Sequence, residues 1–272
     1  MKIEFLNFLM KRESKMKFLN LLNRYISIII VYRFQIFSKF LVQLFQLVMV
    51  IFVWKYIYTQ TDTVSGYDET QMISYIYIIT MMGVIFNISI AFRETEHIKM
   101  GYLSHFLIRP ISYTKDLAAF YLSTLIIDII ILLILIMIPL YFSLININLF
   151  NIISLTYFVL SIILFFYFIK TIANCAFWII HTWPLKPLYN SLYLLFAGGF
   201  FPLDILPDNI YHILEYLPFS LFGYINVISL QGLIYNDIYK YFIATVIWIT
   251  IFIILEKISW RKGLKKYESV GL

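Results

Sequence analysis

The chain has 272 residues, of which 62% are hydrophobic and 13% charged, with a formal net charge of +6. A soluble domain of this length carries about a quarter charged residues, so an aqueous globular protein is excluded and an all-α polytopic membrane protein is expected. The positive charge is no nucleic-acid signal in such a chain, and its single cysteine, Cys175, excludes an intrachain disulfide.

Backbone groups in hydrocarbon must be satisfied internally, which leaves helices or a closed barrel. Continuous apolar runs of about 20 residues argue for helices, because barrel strands alternate. Abundant Ile, Asn, Lys, Tyr and Phe fit an AT-rich, bacterial coding genome.

Residues 1–33 are basic, with Lys2, Lys11, Arg12, Lys15, Lys17, Arg24 and Arg33, and their first apolar patch is too short and interrupted for a signal peptide. Phe18, Leu21, Leu22, Tyr25 and Ile29 recur at helical spacing. That spacing predicts an amphipathic helix lying along the bilayer surface, with a plain basic leader as the alternative. The first span is expected at 34–58. Lys39 and Lys55 are placed near its ends, where they can snorkel. Gln43 and Gln46 share one face, either bonding another helix or lining a pathway.

A short acidic loop at 59–70 without Lys or Arg leads to a second span at 71–92. The polar segment 93–116 then separates two spans, and we call it the handle. The third span, 117–143, contains Asp128. A central Asp costs about 2.5–3.5 kcal/mol on insertion scales. It must therefore line a pathway or pair with a neighbouring helix, and the sequence shows no partner.

After the loop at 146–151, a fourth span runs over 152–172, marked at its end by Lys170. Pro184 and Pro187 then stop or kink the chain. A fifth span at 188–201 is too short for a hydrocarbon core of about 30 Å unless it recruits the preceding proline turn. Residues 201–218 carry three prolines and three acids, and predict a re-entrant or surface hairpin. Asp208 is expected to cap a helix from Asn209, with Ile210, Ile213, Leu214 and Leu217 as its apolar face. Residues 219–234 form the return, a seventh span being the alternative. The sixth span, 238–256, precedes a basic tail of Lys257, Arg261, Lys262, Lys265 and Lys266.

Nineteen of the 21 Lys and Arg residues fall in residues 1–39, the handle, the 170–187 loop and the tail. This asymmetry predicts six spans of one membrane domain over 1–272, both ends cytoplasmic in the cell membrane. A seventh span would put the basic tail on the wrong side.

Chemistry is sparse. No G-x-x-x-x-G-K-[ST] loop, H-E-x-x-H pair or G-x-S-x-G elbow occurs. His97, His105, His181 and His212 are scattered without ligand spacing, so no metal site is expected. A transporter of this kind needs a partner that supplies energy.

The handle sequence IKMGYLSHFLIRPIS resembles the I-x-x-G-x-L-x-x-x-L-x-R-P segment of a bacterial family of type-2 ATP-binding-cassette (ABC) export permeases. The run Phe177-Trp178, the stretch GGFFPLDILPDNIYHILEYLPF and the later Gln231-Gly232 resemble that family's second block. His105, where a small or acidic residue is expected, and the Trp-Pro-Leu-Lys-Pro turn depart from the pattern.

The resemblance implies a permease that pairs with a second copy or a paralogue. Each half docks on a cytoplasmic ABC ATPase that holds the ATP and Mg; this chain needs no cofactor. It assigns the ATPase-coupling helix to Glu94, Glu96, His97, Ile98, Lys99, Gly101, Tyr102 and Phe106, ended by Arg109 and Pro110. Spacing gives that helix a polar face from Glu94, Glu96, His97 and Lys99, and an apolar one from Ile98, Tyr102 and Phe106. A solvated loop without a partner is the alternative. The resemblance places an outer gate at Pro202, Asp204, Pro207, Asp208, Leu217 and Pro218, and Gln43, Gln46 and Asp128 are the candidate pathway residues. Aromatics beside that hairpin suit an amphipathic or lipidic cargo (peptide antibiotic, drug or lipid-linked glycan), and equally interfacial anchoring in membrane lipid. Two other functions stay open: a non-transporting immunity or regulatory protein, and an integral-membrane transferase. The latter would want a clustered His/Asp/Arg site.

Overall fold

The computed structural model describes residues 18–108, 112–141, 152–179, 181–234 and 237–267. Among them the chain is helical and no strand element occurs: α1 Phe18–Val31, α2 Arg33–Tyr58, α3 Glu69–Ile85, α4 Ser89–Lys99, α5 Leu103–Leu107, α6 Tyr113–Tyr141, α7 Ile152–Ala173, α8 Leu185–Phe196, α9 Asp208–Leu214, α10 Pro218–Phe222, α11 Tyr224–Leu230 and α12 Ile238–Lys266. Single 3-10 turns cover Asn174–Phe177 and Leu203–Ile205. Five helical stretches are long and apolar enough to cross a bilayer: α2, α3 continued by α4, α6, α7 and α12. The helix α12 carries the basic tail as its last turns, well past the limit its apolar run suggests.

Local chemistry sets the ends of α3. Asp68 accepts from the Gln71 backbone N–H at 2.7 Å, and the Gln71 side chain accepts from the Asp68 N–H at 3.1 Å, a reciprocal cap. The sequence predicts one unbroken span over 71–92, but the helix breaks at 86–88 and restarts as α4. The break frees carbonyls that the helix would otherwise use. One of them, on Phe86, accepts the Tyr189 hydroxyl at 2.5 Å.

The segment expected as the fifth span is held along α3 and α4 by a ladder of side chains. Lys99 Nζ donates to Thr182 Oγ1 at 3.1 Å, Tyr189 to Phe86 O, and Tyr193 to Ile79 O at 3.5 Å. Tyr75 donates to Gly198 O at 2.8 Å and Tyr67 to Asp204 Oδ2 at 2.8 Å. Residues 182 to 204 thus run antiparallel beside 99 to 67, from one end of the bundle to the other. The 12 residues of α8 cover only about 18 Å. As expected, α8 recruits the proline turn, starting at Leu185, and the remaining shortfall is met by the non-helical stretch 197–204 after it. Pro184 caps α8 and Pro187 lies in its first turn, where a missing N–H costs no helical bond.

The hairpin after it does not cross. The axes of α9 and of α10–α11 differ by 75°. Asp204 before the hairpin and Gln231 and Leu233 after it line one cavity of about 430 Å³ with Ser65, Gly66 and Tyr67. The chain therefore enters and leaves at the same end, which we call the hairpin end. Between, α10 dips inward and sets Phe222 against Phe86, Phe165 and Phe168, at ring separations of 5.2–5.7 Å. A Cβ on Gly223 would lie 2.5 Å from Ala197 Cβ, so this dip needs a glycine.

Two expectations for α9 change. Asp208 is its first residue rather than its cap, and makes no capping bond. Its inward side is Tyr211, Leu214 and Glu215, while Ile210 and Ile213 are exposed, at 48% and 69%. Lipid accepts apolar side chains as readily as a core does, so Ile210 and Ile213 can face out while Leu214 packs inward beside Tyr211 and Glu215.

At the other end, α1 docks through the face that its spacing picks out. Tyr25 is buried and donates to both Asp116 oxygens at 2.8 Å, while Arg93 lies 4.6 Å from the Tyr25 ring centre. This is the handle end of the bundle.

The re-entrant path is checkable in a Cys175→Ser background. Cysteines introduced as Gln60→Cys, Asp204→Cys and Leu233→Cys should react with an impermeant maleimide from one side of the membrane, and Lys266→Cys only from the other. Labelling of Asp204→Cys and Lys266→Cys from one side, with Leu233→Cys labelled only from the other, would show a further crossing.

Candidate functional site

The handle is two short helices joined by a sharp corner. Gly101 sits at φ 76°, a backbone region that other residues enter at a cost, and it separates α4 from α5. The expected single coupling helix is thus broken, and its two faces do not run through. Glu94, Thr95 and Ile98 are buried, Lys99 is half-buried against Thr182, and Glu96 is exposed. Beyond the corner Tyr102 is 55% exposed and Phe106 half-buried, so Ile98, Tyr102 and Phe106 do not share a face. Arg109 and Pro110 lie outside the described residues.

An aromatic stack fixes the corner to α12. His97 stacks on Phe106 at 4.8 Å, Phe106 meets Tyr113 edge-on at 5.4 Å, and Tyr113 stacks on Trp260 at 5.3 Å. Phe177 packs edge-on against Trp260, at 5.7 Å, and lies directly over Gly263, where any Cβ would collide with its ring. The handle's composition was legible along the chain, but this support was not, because Trp260 is more than 140 positions away. What stays free is a tip: Met100, Tyr102, Leu107 and Ile108 are 65%, 55%, 49% and 83% exposed.

Beneath the handle lies a buried charge group. Lys170, expected near the interface, is 2% exposed and pairs with Glu256 at 2.6 Å, with Thr114 Oγ1 at 3.1 Å. Asn174 bonds the Glu256 carbonyl at 3.3 Å and Ser259 at 2.8 Å. Glu94 is fully buried, and neither of its carboxyl oxygens has a hydrogen-bond partner among the described residues.

The pathway residues fall into one region. Asp128 has the partner that sequence could not show: Lys39, 2.6 Å away on α2. Lys39 therefore turns inward, and does not snorkel as its position suggested. Gln43 donates to Thr80 O at 2.7 Å, and Gln43, Gln46 and Lys39 line a cavity of about 660 Å³ between α2, α3 and α8.

At the hairpin end, Pro202 is buried and Pro207 caps α9. Asp208 is exposed, half-buried Leu217 caps α10, and Pro218 opens it. Burial pushes the Asp204 carboxyl above the usual range, and the Tyr67 hydroxyl partly offsets this. Glu215, missed by sequence reasoning, is buried and accepts from Tyr241 at 2.7 Å and His212 at 3.1 Å. With Trp248 donating to Tyr216 O at 2.8 Å, it ties the hairpin to α12.

The model of the family described as ABC-2 family transporter protein matches residues 44–271, from the middle of α2 through the tail. The chain belongs to the ABC-2 transporter family. No curated protein matches it. Membership makes this a multi-pass membrane protein of the permease type, a transporter's membrane subunit whose family implies pairing with an ABC ATPase. The matched region includes the handle, the hairpin and the buried charges alike.

The charge group separates two kinds of variant of this ABC-2 chain. Removing one member of a buried pair strands the other charge and costs about 3–5 kcal/mol. Lys170→Met should therefore lower the thermal midpoint in detergent by several degrees or prevent folding. Glu94→Gln should leave the midpoint unchanged or raise it, since it removes an unbonded carboxyl. Equal destabilisation by both would contradict the assignment.

Proposed function

We propose that this chain is the transmembrane permease subunit of an ABC exporter, driven by a separate ATPase that seats on the handle. The observation that carries the reading is the handle's division of labour. Its foot is buried against α7 and the turn Asn174–Phe177, over the Lys170–Glu256 pair, while its tip offers an exposed apolar patch. A rigid foot with an exposed tip suits force transfer from a partner groove, whereas a merely solvated loop has no need of the buried foot.

The distribution of Lys and Arg supports placing the handle and both ends in the cytoplasm, and the acidic hairpin outside. In this reading ATP and Mg belong to the partner. A second copy or a paralogue completes the conduit, and an amphipathic or lipidic cargo leaves at the hairpin end. Interface anchors of this kind carry about 1–2 kcal/mol or more each.

Tyr102→Ala combined with Ile108→Ser should cut the ATP hydrolysis that co-purifies with the chain from its native membrane about tenfold or more, with the thermal midpoint unchanged. Undiminished co-purification would overturn the coupling role. So would labelling of Met100→Cys by an impermeant reagent from outside the cell.

A further inference from the structure

The cavity between α2, α3 and α8 is confined to the handle half of the bundle. Along α2 it reaches from Gln35 to Gln46, which is about 16 Å of helix. On α3 it stops at Ile79, one turn short of the Tyr75–Gly198 bond. The hairpin-end cavity begins beyond that bond, at Ser74. The vestibule is thus open toward the handle end, where Ser89 and Lys186 line it, and closed above by the turn after α8.

Its lining is rich in side-chain amides. Gln43 is engaged by Thr80 O, and Asn87 Oδ1 accepts from the Ser89 N–H at 2.8 Å. Gln46 and Asn190 also line it, and their amides bond no described residue. Gln46 is half-buried and Asn190 exposed in an open vestibule, so both amides are available to a polar occupant, which hydrocarbon would not provide. The charge of Lys39 is matched by Asp128, so the interior is nearly neutral, with Lys186 as the only other cation lining it among the described residues. Gly83 keeps the space open: a Cβ there would meet Gln43 Nε2 at 3.2 Å and Tyr193 Cε1 at 3.5 Å. On its α2 side the cavity reaches Val42, which is 66% exposed and adjoins a wholly apolar outer face with Phe45 and Met49.

We propose that this vestibule binds the head group of an amphiphile whose chain lies along the outer face of α2. The head is uncharged and presents several hydroxyl or amide groups. Amides donate and accept at once, which matches hydroxyls and other amides. A quaternary ammonium head can neither donate nor accept, and a multiply charged phosphate finds one unmatched cation, Lys186, exposed at the open mouth, and none deeper, where Lys39 is matched by Asp128. As the cargo site, this rests on the permease reading; as a binding site, it does not.

The test uses the full chain, as Cys175→Ser, in nanodiscs of phosphatidylethanolamine and phosphatidylglycerol. The probe is an alkyl maltoside with a diazirine in its chain next to the head. Photolabelling should fall on peptides of α2 and α8. Dodecyl maltoside should compete; dodecyltrimethylammonium and dodecyl phosphate should not. Gln46→Leu with Asn190→Leu should reduce labelling about tenfold, the effect of losing two hydrogen-bonding amides. Gly83→Val should do the same by filling the space. The conservative pair Gln46→Asn with Asn190→Gln should restore most of the labelling, which excludes misfolding as the cause. Labelling unaltered by the leucine pair and by Gly83→Val, or equal competition by the ammonium or phosphate amphiphile, overturns the site. Site-specific labelling in a chain whose native preparation carries no ATPase would leave the site standing and sink the permease reading. Intact ATPase association with unaltered labelling would do the reverse.

Discussion

Irregular backbone inside a bilayer survives only where protein satisfies it, and aromatic side chains perform that task here. Two places need it: the break at 86–88 and the turn that carries α8 onward. Tyr189 serves the carbonyl of Phe86, Tyr75 that of Gly198, and the Trp54 indole that of Phe200 at 2.9 Å. Each donor has one polar atom on a large apolar body, so it brings a hydrogen bond to a carbonyl and burial to its surroundings together. Without these bonds a 12-residue helix would leave several carbonyls unpaired in hydrocarbon, each costing on the order of a few kcal/mol. The segment expected as the fifth span, the vestibule below it and the hairpin above it all exist because α8 can end early.

Charges within the bundle follow the same constraint with a different solution. Lys39–Asp128 joins α2 to α6, and Lys170–Glu256 joins α7 to α12. Such pairs add little net stability, since desolvation offsets most of the attraction. Their consequence is positional: a helix that slides or rotates exposes two charges at once. They therefore fix the rotation of helices whose outer faces, being apolar all round, would otherwise be held only by packing.

What could be read from the sequence, and what could not, divides along this line. Apolar runs mark α2, α6, α7 and α12 because spanning length is a property of one segment. Pairing is not, and Asp128 found Lys39 from 89 positions away. The lysine itself was legible only as a charge near a span's start, where snorkelling and pairing look alike. Facing was the other loss. In water an apolar stripe points inward, but on α9 Ile210 and Ile213 point outward while Glu215 points in. The handle's polar composition was plain, yet the corner at Gly101 divides it into a buried foot and an exposed tip. Spacing rules that assume one continuous helix cannot see that division.

These features connect the two ends of the molecule through few elements. The α4 segment shares its axis of descent with α3, and the joint between them is the Phe86 carbonyl held by Tyr189 of α8. A force on the handle therefore reaches α8 at the wall of the vestibule, one hydrogen bond from the break. The same force reaches α12 through Tyr113 and Trp260, and α12 holds the hairpin through Tyr241 and Trp248. In the proposed permease, one displacement at the cytoplasmic tip would thus act on the vestibule and the hairpin by separate routes. Moving α8 alone would open the Gly198 turn under a hairpin still shut, and moving α12 alone would loosen the hairpin above a closed turn. Under that proposal a cargo would pass only when both routes are driven, and the corner at Gly101, which leads from α4 and is joined to α12 through the aromatic stack, could drive both at once.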